Sequence, residues 1–244
     1  MELARLFERP EESIDLGRAA LVPARIEYPD LDLDAEIARL DALAAQARPA
    51  VASQQGPAAR VFALCSFLGQ TCGFCGNEDD YYDPRNSFLN QVLERRTGIP
   101  ITLSVVYMEV GRRLGLPLEG VGLPGHFLVK YQGSSNAIFL DPFHGGRALS
   151  GSDCRQLIEQ LSGGQIEFRE EFLAAVDKRY ILLRILNNLR SIYMERRQMA
   201  KALEAVDMAL ALAPDSPDDV KLHGALSYQL RRYGQARQDL ERYL

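Results

Sequence analysis

Apolar residues recur at three- and four-residue steps over most of this chain, and at alternate positions only near its middle. From Asp32 to Arg48, Leu33, Ile37, Leu40 and Leu43 line one face, with Asp32 or Asp34 placed to cap the start; residues 12–70 therefore read as helices joined by polar loops. Gly, Asn, Asp and Pro interrupt that period in TCGFCGNEDDYYDPRNS, residues 71–87, which reads as a loop. Asp83 followed by Pro84 has the form of an N-cap and first-turn proline for a helix through NSFLNQVLERR. Gly98 stops that helix. Pro100 starts the next, because a first-turn residue needs no intrahelical partner for its N–H, and this helix runs to about Leu114. The runs EGVGL, HFLVKY and AIFLD then alternate as strands do, with Gly and Asn turns between them, which predicts a small antiparallel sheet.

From Lys178 the period is helical again. Leu182, Leu186, Leu189 and Tyr193 share one face, and Leu203, Val206 and Leu210 another. Laying QMAKALEAVDMAL over RYGQARQDLERYL aligns Ala202 with Ala236 and Leu210 with Leu244. That offset is the period of tetratricopeptide (TPR) helix pairs, and APDSP fills the turn between them. Two such units fit, fewer than independent stability requires, so they are expected to pack on the mixed region before them. The predicted organisation is a helical segment at 1–70 packed on a core at 71–177, followed by a helical tail at 178–244.

A net charge of −5 with no cluster of Lys and Arg argues against nucleic-acid binding. The start, MELARLFERPEES, lacks the apolar stretch of a signal peptide, and no segment offers a membrane span; the expected location is the cytoplasm, with no membrane partner. Four cysteines, Cys65, Cys72, Cys75 and Cys154, are too few for a disulfide scaffold and are expected as reduced thiols.

His126 opens one strand and Asp141 closes the next, so pairing of the two strands sets an imidazole beside a carboxylate, as in a general base with its orienting acid. The efficient place for a nucleophile is the first turn of the helix at 100–114, where the helix dipole raises the thiolate fraction of a cysteine. Cys72 and Cys75 form a lone C-x-x-C, a weak signal for zinc or redox chemistry, with His126 and His144 as conceivable further ligands; packed thiols are the plainer reading, and no metal or cofactor is expected. His144, in DPFHGG, reads as a turn residue with Gly145 and Gly146 supplying unusual backbone angles, and His223 as a surface or packing residue of the tail. The glycines of GVGLPGHF either leave room for a chain or ligand beside His126 or form a purely structural turn. NEDDYYD lacks the ligand spacing of a calcium loop and reads as solvated.

The stretch GIPITLSVVYMEVGRRLGLPLEGVGLPGHFLVKY, with IFLDPFHGG after it and YYDPRNSFLNQVLERR before it, resembles the transglutaminase-like domain of bacterial transglutaminase/TPR proteins, a family linked to invasion regulation and related to a eukaryotic F-box protein. The resemblance spans nearly the whole chain. It implies an α+β fold with a papain-like transglutaminase core, in which Gly-x-Cys starts the helix, His heads the next strand and Asp ends the following one. His126 and Asp141 match the histidine and aspartate. Gly98 matches the glycine, and the cysteine position falls on Pro100, which has no nucleophilic atom. Ser104, one turn deeper on the same face, is a remaining candidate nucleophile, though a displacement of about 5 Å exceeds what a hydrogen bond absorbs, and back-bonding to a helix carbonyl is the simpler role. The expected function is a non-catalytic protein-interaction or regulatory module with a protein or peptide partner. The alternative is an amide- or isopeptide-bond hydrolase or acyltransferase with a relocated nucleophile, His126 as base and Asp141 as its orienter.

Overall fold

The computed structural model describes residues 2–133 and 137–243; Leu244, used in the repeat alignment, and Asn136, in the turn before AIFLD, lie outside them. The chain begins with α1 (Glu2–Phe7), α2 (Leu16–Leu21), α3 (Leu33–Ala52) and α4 (Pro57–Ser66). Asp32 is the cap of α3, accepting hydrogen bonds from the backbone N–H of Asp34 and Ala35. A two-residue strand, β1 (Cys75–Gly76), pairs in parallel with β2 (Thr97–Gly98), and α5 (Leu89–Arg95) lies between them. Next come α6 (Pro100–Arg113), then β3 (Leu118–Leu123), β4 (His126–Gln132), β5 (Ala137–Asp141) and β6 (Arg147–Leu149) as one antiparallel sheet in that order. The helices α7 (Gly151–Ser162), α8 (Lys178–Glu195), α9 (Met199–Leu212), α10 (Pro217–Gln229) and α11 (Tyr233–Tyr243) follow. This is the α+β arrangement the pattern predicts, and no helix of the described residues is long and apolar enough to cross a membrane.

Three local expectations change. Asp83 and Pro84 start a separate 3-10 turn, Pro84–Asn86, instead of α5, which begins at Leu89. The break follows from Asn86, fully buried, whose side chain donates to the carbonyls of Asp80 and Tyr81 and whose own carbonyl accepts the Thr102 hydroxyl at 2.7 Å; those bonds hold the backbone out of a continuous helix. Secondly, α5 ends at Arg96, which adopts a left-handed conformation with φ 60°, so Gly98 is free to pair in β2. Thirdly, β6 and α7 occupy sequence that showed no clear period. Ser150 caps α7 in a reciprocal box with Asp153.

Alternation in the sheet buries both of its faces. Phe127, Val129, Tyr131 and Leu140 join the main core against α6, while Leu128, Phe139 and Val121 form a second core with Cys154 and Ile158 of α7. The main core runs without a break from Leu3 through Leu103 and Leu140 to Leu182, Leu186, Leu189, Leu203 and Leu226, so the tail packs on the rest of the chain, as two helix pairs require. Polar ties reinforce this seam. Lys201 pairs with Glu27 at 2.8 Å, and the Lys178 ammonium donates to the carbonyls of Glu11 and Ile14. Within the tail, His223 is the packing residue of the two alternatives: it is buried, and its Nδ1 and Nε2 bond Asp239 at 2.6 Å and Asp207 at 2.8 Å, which ties α10 to α11 and α9.

Candidate functional site

The pairing of Val129 with Leu140 sets Leu128 opposite Asp141 and places His126 diagonally across on the same face. Short antiparallel strands therefore bring together residues fifteen apart in sequence. His126 Nε2 lies 3.0 Å from Asp141 Oδ1, and both side chains are almost wholly buried. The chain then turns through Pro142–His144, a 3-10 turn in which the backbone N–H of Phe143 donates to Asp141 Oδ1 at 3.1 Å. That turn carries His144 back over the same carboxylate, with Nδ1 2.7 Å from Oδ2.

Asp141 is thus shared by two imidazoles and a backbone amide. Burial alone would raise its pKa, but the hydrogen bonds and charge of His126, then those of His144, outweigh it and hold the carboxyl below its ordinary range. His126 has 7% of its side chain exposed and His144 47%, so one ring is enclosed and the other opens to water. The Phe143 ring stands edge-on to both, with centroids 6.0 Å from His126 and 5.2 Å from His144.

Backbone geometry makes this turn possible. Gly145 and Gly146 have φ 67° and 80°, as the sequence suggests, and a Cβ on Gly146 would sit 3.0 Å from Cys65 and from the Tyr107 ring. Glycine in GVGLPGHF plays another part. A Cβ on Gly122 would lie 2.8 Å from the Tyr180 ring and 3.2 Å from the Arg184 guanidinium, so that space is filled by α8 and does not receive a ligand. Arg184 uses the approach to donate to the carbonyls of Leu123 at 2.9 Å and His126 at 2.7 Å, clamping both sides of the turn that presents the histidine.

Among the described residues, no thiol or hydroxyl makes a hydrogen bond to His126 or Asp141. Pro100 is the first residue of α6, and Ser104, fully buried, donates its hydroxyl proton to the Pro100 carbonyl at 2.8 Å. Ser104 thus takes the back-bonding role, with its hydroxyl proton held within the helix and no hydrogen bond to His126 among the described residues. Burial pushes the thiols of Cys65 and Cys154 up to about 12, where no thiolate forms at neutral pH. Cys75 is exposed and Cys72 half-buried; among the described residues, neither joins His126 and His144 in a cluster close enough to share an ion. His126 Nδ1 makes no hydrogen bond among the described residues.

The sequence pointed to His126 and Asp141 and placed His144 in a turn, or as a conceivable ligand beside the C-x-x-C, but did not bring it to Asp141. The signal was present, since an aspartate followed by proline and, three residues on, by histidine lets a 3-10 turn fold the ring onto the carboxylate.

Comparison with known proteins gives matches in the same order as these elements. The family model described as the transglutaminase-like superfamily matches residues 34–187, and a tetratricopeptide-repeat model matches residues 189–244. A UPF0162 protein of Xylella fastidiosa is 39% identical over 237 residues, which is 96% of this chain and 84% of that protein. F-box only protein 21 of Mus musculus is 34% identical over 168 residues, 64% of this chain and 26% of the mouse protein. Protein SirB1 of Salmonella typhimurium is 26% identical over 84% of this chain and 76% of its own length. Among solved structures, menin aligns over 97% of this chain and 67% of its own with a TM-score of 0.46 and 11% identity.

Proposed function

Because this chain belongs to the transglutaminase-like superfamily and carries tetratricopeptide repeats behind that domain, we propose that it is a non-catalytic protein-interaction module that keeps the frame of an acyl-transfer site without its nucleophile. The observations that carry this reading are a proline, Pro100, at the head of α6 and an oriented His126 whose Nδ1 meets no described thiol or hydroxyl. An imidazole held by a carboxylate is prepared to accept a proton, and here no acidic group is presented to it.

The tail supplies the interaction surface in this reading. Tyr228 and Tyr233 are exposed and stack edge to face at 5.6 Å, and Lys221 lies 5.2 Å from the ring of Tyr243. Exposed aromatic pairs of this kind bury large area at low conformational cost when a peptide covers them. The partner is a protein or peptide, and the setting is the cytoplasm.

The test uses the full chain with a glutamine donor protein and a labelled amine, and separately with amide and isopeptide substrates. No turnover above buffer is expected. Turnover that His126→Ala abolishes would overturn the proposal and favour the reading with a relocated nucleophile. The interaction half is tested by photo-crosslinking capture with Tyr228→Ala/Tyr233→Ala, which is expected to lose bound protein while its melting transition is kept; capture unchanged by the double substitution overturns this surface.

A further inference from the structure

Beyond that reading, and independently of whether the chain reacts, we propose that His126 Nε2, the Asp141 carboxylate and His144 Nδ1 form a binding site for one divalent transition-metal ion of the zinc class. Among the described residues these three donors lie within 4.8 Å of one another, the one such cluster of three or more histidine, cysteine or acidic side chains. Two imidazole nitrogens and a carboxylate oxygen are the donor set of an open zinc site, which uses three protein ligands and leaves a position for water or another ligand.

The spacing suits an ion. Bonds of about 2.0–2.2 Å to a tetrahedral centre put donors about 3.3 Å apart. Asp141 already holds the two ring nitrogens at 3.0 and 2.7 Å. Both nitrogens point at one carboxylate, so an ion entering between them replaces shared protons and needs a small withdrawal of the Asp141 oxygens, without a new rotamer of either ring.

The supports of a metal site are also present. The Phe143 N–H donates at 3.1 Å to the same Asp141 Oδ1 that faces His126, and Arg184 on the His126 carbonyl fixes the strand end that carries the ring. Access comes from the His144 side. A cavity of about 300 Å³ opens there, lined by Asp141, His144, Arg147, Asp153, Gln156 and Gln160. An ion bound at the three donors would therefore keep a free position facing solvent. By contrast, among the described residues Cys72 and Cys75 contribute to no cluster of three, which separates this proposal from a site built on the C-x-x-C.

The experiment titrates the chelator-stripped, desalted full chain with Zn²⁺ by calorimetry and with Co²⁺ by visible absorption. One equivalent is expected at micromolar or tighter affinity, with a cobalt ligand-field band. His144→Ala lies on an exposed turn, so folding is retained; it is expected to weaken binding by more than the about 10–100-fold that loss of an outer partner costs. Asp141→Asn gives a second, isosteric reading with the same expectation, and Cys72→Ser/Cys75→Ser is expected to keep the full equivalent. The proposal is overturned by the absence of heat and of a cobalt band at millimolar metal. It is equally overturned by unchanged affinity in the His144 and Asp141 variants, or by loss of the equivalent in the cysteine variant.

Discussion

Replacing Asp141 by alanine removes the acceptor for His126, His144 and the Phe143 amide at once. The cost can be worked bond by bond. His144 is half exposed and regains water, so its share is small, whereas His126 is left with an unmet donor in a buried place and the Phe143 N–H with one in a partly buried place. A buried donor stripped of its partner costs about 1–3 kcal/mol, and more where a charge was involved. The sum is about 3–5 kcal/mol, the range found when one member of a buried pair is deleted. For a chain of this size about 1 kcal/mol lowers the melting temperature by about 2–4 °C, so Asp141→Ala is expected to melt about 6–20 °C below the parent in the presence of chelator. Asp141→Asn keeps one carbonyl for Phe143 and the side-chain volume, and should lose about half as much. Urea unfolding with an unchanged slope is the check. If Asp141→Ala falls within about 1 kcal/mol of the parent, the carboxylate is not the hub described here.

His223 gives the tail a pH dependence of definite sign. The Asp207 bond, and then that of Asp239, raise its pKa above 6.5 against the opposing effect of burial. Its stabilisation is therefore complete below about pH 6.5 and is lost as pH rises through the higher folded value; His223→Gln should flatten melting temperature against pH across that interval. Arg184→Ala removes both clamps on the His126 hairpin, with an expected loss of about 1–3 kcal/mol and faster amide exchange at Phe127 and Leu128, read by hydrogen-exchange mass spectrometry. Thiol titration of the native chain is expected to count Cys72 and Cys75 alone, with Cys65 and Cys154 reacting only in denaturant.

Legibility followed sequence distance. Local punctuation located α6, because Pro100 suits only a first turn, and alternation located β3 to β5, whose ends then set His126 beside Asp141. What escaped was either short or remote. The three residues of β6 carry too little period to register, and α7 opens on Gly, Ser and Asp, so its signal was a capping box and the spacing of Cys154 and Ile158. Arg184 reaches across 58 residues to the His126 carbonyl, and His223 is held by carboxylates sixteen residues away on either side; no local pattern encodes either bond. Helix at 178–195 was plain in the sequence, but that this helix fills the space left by Gly122 was not.

The central claim is that the frame survives and the nucleophile does not. Its most direct measurement is the alkylation rate of Pro100→Cys against pH, made in a Cys72→Ser/Cys75→Ser background. If position 100 faces the oriented imidazole, as in the frame the proposed function invokes, its thiol should titrate below about 7.5 and react as a thiolate at neutral pH, while the parent shows no such phase. A Pro100→Cys thiol that titrates like a free cysteine would contradict the account, because position 100 would then not face the His126 and Asp141 pair.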